Sequence, residues 1–268
     1  MSHRPVKNMA REAKGSKGLH ALARAGYAVN GLMHIVIGFV AIHVAAGSGG
    51  EADQSGAFSQ LATAPGGGLI LWTIVVGMAG LGVWWILAGF LIASVDPKRK
   101  WAHRLVSIAK GLVYLALGTT AFSFAKGGST NSAANSKTLS ATILAAPGGV
   151  AILVVIGCAI VAIGVYFIVK GATRKFTQDI TVPPNAVGKA SVVLGVVGYI
   201  AKGIALGAVG VLFVIGAVTI DPAKATGLDG ALKSLAALPF GTVILIVIGL
   251  GLIAYGLYSF ARARLARL

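Results

Sequence analysis

Acidic residues are scarce in this chain: seven Asp and Glu stand against 23 Lys and Arg in 268 residues. Charged residues of all kinds make up 11%, where an ordinary soluble domain carries about 25%. So few charges cannot cover a water-facing surface, which excludes an ordinary soluble domain. Cysteine is down to one residue, Cys158, which excludes an internal disulfide and supplies neither a redox nor a metal motif. No long apolar run contains Asp or Glu, which speaks against proton-coupled transport, where carboxylates normally lie in the membrane. There is no readable Ser/His/Asp set, carboxylate pair or phosphate-cradling glycine loop. No segment outside the apolar runs is long enough to fold as a catalytic domain, so neither an enzyme nor a cofactor is expected. Alternating ten-residue segments are missing too, which excludes a transmembrane barrel.

What the chain has is apolar length. Hydrophobic residues reach 56% and the mean hydropathy is +0.86. Six runs, about 26–46, 67–93, 106–125, 148–169, 192–220 and 240–260, approach or exceed the roughly 20 residues that cross a bilayer as a helix. The connections alternate in charge. On one side lie 19 Lys and Arg against Glu12, Asp96 and Asp179; on the other, Lys126, Lys137, Lys224 and Lys233 balance Glu51, Asp53, Asp221 and Asp229. The formal net charge of +16 therefore belongs to one side, which the positive-inside rule makes cytoplasmic, together with both termini. A pI near 10.4 would suggest nucleic acid in a soluble domain. Here the cations are short clusters at run ends, so orientation and anionic headgroups account for them and no nucleic-acid partner is expected.

The chain also repeats itself. Aligned on Pro65, Pro147 and Pro239, an apolar residue stands four positions before (Leu61, Ile143, Leu235), and a glycine two after (Gly67, Gly149, Gly241). Another glycine stands seventeen after (Gly82, Gly164, Gly256), and an aromatic nineteen after (Trp84, Tyr166, Tyr258). The preceding runs carry glycine pairs spaced by seven: Gly31 with Gly38, Gly111 with Gly118, and Gly203 with Gly210. A basic tail over 1–20 thus precedes three hairpins, 21–95, 104–173 and 190–265, within one membrane domain. "HVAAG" loosely resembles a signal-peptide cleavage site, but the first run is the counterpart of the third and fifth and is expected to be retained. The stretches before each proline predict one or two helical turns at the outer interface, with the proline in the first turn of the descending span. Two spans per copy give all copies one orientation, and a pseudo-threefold arrangement is the simplest. Glycines seven apart share a helix face, so the six glycines of the pairs are expected to be packing positions, among the odd-numbered spans or within each hairpin.

The segments "KGLVYLALG", "GYIAKGIALGAVG", "AAPGG" and "GVYFIVKG" resemble an uncharacterised bacterial integral-membrane family, defined as a domain of unknown function with a triplicated two-helix unit. The resemblance spans nearly the whole chain. It departs at Asn30, where the other copies have Lys, and at Phe240, where they have the first Gly after Pro. It implies a bacterial plasma membrane and no reaction, substrate or cofactor.

Candidate site residues are few. Asn30, Lys110 and Lys202 each precede the first glycine of a pair, inside or at the start of an apolar run. A lysine at the bilayer centre costs on the order of 3 kcal/mol. Either the stems reach back to the cytoplasmic headgroups, or the three residues form a polar triad that holds a lipid phosphate or another anion. His34 adds a hydrogen-bonding group to that region. His34 and His43 lie nine residues apart on opposite faces of one helix and no other run carries a histidine, so neither a haem nor another metal site is expected. The tryptophans and Tyr27, Tyr166, Tyr199 and Tyr258 are expected as interfacial anchors. The sequence therefore points to an all-α, six-span, non-enzymatic plasma-membrane protein, a scaffold or accessory subunit packed against anionic lipid, a membrane-protein partner or its own copies. The other open reading is a small transporter, channel or anionic-lipid-binding protein with a polar path near Asn30, Lys110 and Lys202.

Overall fold

The computed structural model describes residues 17–91 and 97–266. Most of the basic tail expected at 1–20 lies outside these residues. Six long helices are apolar enough to cross a membrane: α1 (Lys17–Ala45), α3 (Gly67–Leu91), α4 (Pro97–Ala125), α6 (Gly149–Ala172), α7 (Ala186–Val218) and α9 (Gly241–Leu265). Three short helices lie between them: α2 (Gln54–Thr63), α5 (Ser132–Ala145) and α8 (Gly227–Ala236). The described residues have no strand; Ile180 and Ala266 make one isolated antiparallel bridge.

Helix starts follow local chemistry. Pro97 opens α4, where its missing N–H is no loss, so that helix begins well ahead of its expected apolar run. Asn131 and Asn185 accept from the amides of Ala134 (2.6 Å) and Gly188 (3.2 Å) and cap α5 and α7. Asp53 Oδ1 accepts from the amides of Ser55 (2.8 Å) and Gly56 (3.1 Å) at the start of α2.

The break that recurs before each even-numbered span has two parts. The residue after the proline is left-handed in every copy: Gly66 (φ 73°), Gly148 (φ 75°) and Phe240 (φ 61°). Only Phe240 bears the strain that a side chain brings to that region. The next residue, Gly67, Gly149 or Gly241, has no room for a methyl group. It would run into the carbonyl oxygen of Leu61 in the first copy and of Ile143 in the second; in the third it would meet that of Ala236 first and that of Leu235 next (2.6 Å). The Leu61, Ile143 and Leu235 carbonyls belong to the apolar column four residues before the proline, so the repeat motif is one tight corner, shifted by a residue in the third copy. Two expectations change here. The prolines stand between helices rather than in the first turn, because the left-handed residue, not the proline, begins the new span. The preceding pieces are full helices of 10, 14 and 10 residues rather than one or two turns.

The described residues form two compact units, 17–29 with 61–130, and 30–60 with 131–266. In the first unit α3 and α4 pack along Gly111, whose added methyl would stand 2.8 Å from the Gly82 carbonyl oxygen. Arg104 donates to the Gly89 and Phe90 carbonyls (3.2 and 3.4 Å) and satisfies the last turn of α3. In the second unit α7 packs on α6 in the same register: a methyl added at Gly203 would stand 2.6 Å from the Gly164 carbonyl oxygen, and one at Gly210 2.7 Å from that of Gly157. There too α1 packs on α9: a methyl added at Gly31 would stand 2.7 Å from the Gly256 carbonyl oxygen, and one at Gly38 2.5 Å from that of Gly249. The expectation of seams among odd-numbered spans, or inside each hairpin, is corrected: each pair faces the second helix of a different copy, because that helix carries its own matching glycine. Gly118 is the loose position, with Met78 Cβ at 3.4 Å, since Val75 stands where the other copies have Gly157 and Gly249.

At the short-helix end of the second unit, polar groups tie the connections together. The Ala52 amide donates to Asp229 Oδ1 (2.9 Å), the Ser132 amide donates to Ser55 Oγ (3.0 Å), and Asn131 Nδ2 donates to Glu51. Lys233 pairs with Asp229 at 2.8 Å. At the opposite end Phe176, Ile180, Tyr199, Tyr255 and Tyr258 form a buried cluster.

Candidate functional site

Close approach at the glycine seams decides where Asn30, Lys110 and Lys202 go. Each precedes the first seam glycine, and each meets the residue three positions beyond the opposing glycine. Lys110 Nζ lies 4.5 Å from the Trp85 ring centroid and Lys202 Nζ lies 5.3 Å from that of Phe167. Asn30 Nδ2 donates instead to Ser259 Oγ (3.2 Å), which donates to the Tyr255 carbonyl (2.9 Å). The substitution of Asn for Lys is therefore matched across the seam: two copies set an ammonium over an aromatic ring, and the third pairs an amide with a hydroxyl. A cation over an aromatic face is worth about 0.5–2 kcal/mol, part of the compensation for a lysine at membrane depth.

Lys202 is the most enclosed of the two cations. It is half-buried, whereas Lys110 is exposed. Its ammonium also lies 4.3 Å from the Tyr255 ring centroid. His34 stacks obliquely on the same ring (4.7 Å), and its Nδ1–H donates to the Asn30 carbonyl (2.8 Å), which leaves Nε2 as the acceptor of the neutral ring. The structure thus brings Asn30, His34 and Lys202 together around Tyr255. Lys110 belongs to the other unit, with Trp85 as its partner. Among the described residues, none of the ion pairs involves Lys110 or Lys202. Beside Tyr255 the Lys202 ammonium is the charged donor, and it suits an anion.

Sequence reasoning missed three residues. Tyr255 is the hub, and its signal was readable: the position before Gly256 holds Leu81 and Ile163 in the other copies. Ser259 is legible only once the seam register is known. Asp179 accepts from Lys170 (2.8 Å) and Arg262 (3.5 Å) and so ties the 175–179 turn to α6 and α9. Two further expectations are corrected. Tyr199 and Tyr258 are not interfacial anchors but fully buried; Tyr199 stacks on Phe176 at 5.2 Å. Phe176 lies outside every apolar run, yet it fills the space that Gly195 leaves open. His103 opens the third span, so the spans carry three histidines, not two. Among the described residues no group of three or more His, Cys, Asp or Glu could hold a metal ion.

The carboxylates at the short-helix end sit in an unfavourable field. Glu51 is raised above its usual range by burial, then by Asp53 and Asp229. Asp53 is raised by burial, with Asp229 adding to it and the Gly56 and Ser55 amides opposing.

The profile of a domain of unknown function, DUF1206, matches three times, over 25–91, 105–174 and 197–266. An uncharacterized protein of Bacillus subtilis (strain 168), YxxB, is 30% identical over 242 residues, which cover 88% of this chain and 87% of that protein. No solved structure matches. The three matches fall on the three glycine-seamed hairpins, and the chain belongs to the DUF1206 family.

Proposed function

We propose that this chain is a non-enzymatic, multi-pass protein of a bacterial plasma membrane that serves as a scaffold or accessory subunit, with its termini in the cytoplasm. One observation carries the reading: the polar side chains at the helix ends are engaged with each other, while the span faces are apolar. Asp53, Asn131, Asp179 and Asp229 cap helices or tie elements together. Leu69, Val76, Val155, Val193 and Val247 are exposed along the spans, where lipid tails would meet them. Proteoliposomes holding the full chain should pass anions and protons no faster than protein-free vesicles. A flux that Lys202→Met abolishes would replace the scaffold with a polar path.

A second reading has its own support. Lys202 has no carboxylate partner among the described residues and faces His34, Asn30 and Tyr255, so a lipid phosphate at the cytoplasmic surface is a fitting counter-ion. Native mass spectrometry should then find less phosphatidylglycerol on Lys202→Met than on the parent protein. An unchanged lipid spectrum for the Lys110→Met/Lys202→Met double variant would reject this site and leave the stems reaching for the headgroups.

A further inference from the structure

A cleft of about 610 Å³ lies at the short-helix end of α1, and none of the roles above uses it. One wall is a helical stripe of α1, with Val36, Phe39 and Val40 leading to His43. Val36 to His43 is seven residues, about 10 Å of helix, and all of it lies within the first span. The wall is therefore apolar at membrane depth and becomes polar at its end. The opposite side is built from α2 and the preceding turn, which bring Glu51, Ser59 and Gln60 to the mouth. Such a volume lies in the range of small-ligand sites.

The charge at the mouth has one sign. Glu51 lies within the field of Asp53 and Asp229, and Lys233 is the cation that acts against them. Lys233 is paired with Asp229 at 2.8 Å and acts on Glu51 and Asp53 only through the field, so among the described residues neither carboxylate is shown in an ion pair of its own. The Asn131 amide donates to Glu51 and holds its carboxylate in place. An apolar floor under an anionic mouth suits a cationic head on a hydrocarbon chain. The form of the cation follows from the lining. Carboxylate, hydroxyl and amide oxygens accept directed hydrogen bonds from a primary ammonium, whereas a quaternary ammonium is held by a cage of aromatic rings, and Phe39 is the one aromatic residue here. His43 stands beside the mouth, where it can donate to a phosphate.

We propose that this cleft binds an aminophospholipid of the leaflet at the short-helix end, with the ammonium on Glu51, the phosphate at His43 and the upper acyl chain along Val36, Phe39 and Val40. That leaflet is the outer one in the orientation given above, and the site does not depend on the scaffold reading.

The test uses the full chain in mild detergent with phosphatidylethanolamine, phosphatidylcholine and phosphatidylglycerol of matched chains at equal amounts, and native mass spectrometry of the retained lipid. The parent protein should retain phosphatidylethanolamine about fivefold over phosphatidylcholine, the scale of one hydrogen bond that a quaternary ammonium cannot donate. Glu51→Ala should erase that preference, Ser59→Trp should lower retention by closing the mouth, and Gln178→Ala, an exposed position at the opposite end, should leave both unchanged. Equal retention of the ethanolamine and choline lipids by the parent protein overturns the proposal, and this comparison needs no variant to fold. Loss of the preference in Gln178→Ala, or its survival in both Glu51→Ala and Ser59→Trp, overturns it as well.

Discussion

Asp53 carries the least expected balance of a single residue. It is 1% exposed, one oxygen caps α2, and the other is buried with no hydrogen-bond partner among the described residues. Its acidity is weakened by burial and by Asp229, and Glu51 is shifted the same way. A carboxyl group whose folded-state pKa lies above its unfolded value binds more protons in the folded state. Its contribution is therefore most favourable at low pH and is lost as pH rises from the ordinary carboxylate range, near 4, through the raised value. Asp53→Asn keeps Oδ1 for the Ser55 and Gly56 amides and removes the charge. The variant should unfold at a higher temperature than the parent protein at pH 7, and the difference should shrink as the pH approaches 4. A difference independent of pH would show that Lys233 already neutralises this carboxylate. None of this was readable in the sequence, where Asp53 counted as one loop charge among eight. What makes it unusual is burial under α2, and burial depends on contacts between residues far apart in the chain.

At the scale of helices, the glycine columns were legible and their partners were not. A spacing of seven fixes a shared face but not what that face meets. The answer lay in a second column, Gly82, Gly164 and Gly256, which has the opposite role in every seam. Read together, the two columns rank the seams. At Gly210 an added methyl would stand 2.7 Å from the Gly157 carbonyl and from the Val161 amide nitrogen, both rigid backbone. At Gly118 the nearest atom is Met78 Cβ at 3.4 Å, ordinary van der Waals contact. Gly210→Ala should therefore destabilise by about 1–3 kcal/mol, as overpacking of a tight core does. Gly118→Ala should change stability by less than about 1 kcal/mol, because the helix propensity of alanine offsets the small adjustment. Thermal unfolding of both variants in one detergent checks the ranking, and equal losses would mean that the seams are looser than this geometry.

For the whole chain, composition alone was enough to give an all-helical six-span protein, because charge scarcity and run length depend on no contact. Sidedness rests on the distribution of charge. In a Cys158→Ser background, Ser48→Cys and Lys137→Cys should react with a membrane-impermeant thiol reagent on intact cells, and Thr173→Cys and Gln178→Cys only after permeabilisation. All four positions are exposed. Labelling of Thr173→Cys or Gln178→Cys on intact cells would invert the protein. The seam between α1 and α9 has a consequence in time. Gly31 and Gly256 are 225 positions apart, so at the roughly 5–20 residues per second of protein synthesis the first helix waits about 10–45 s for its partner. Throughout that interval the notch at Gly31 and Gly38 is open to lipid or to whatever attends the emerging chain. A message truncated before α9 would leave it open permanently, which gives the cell a structural mark by which an unfinished copy differs from a finished one.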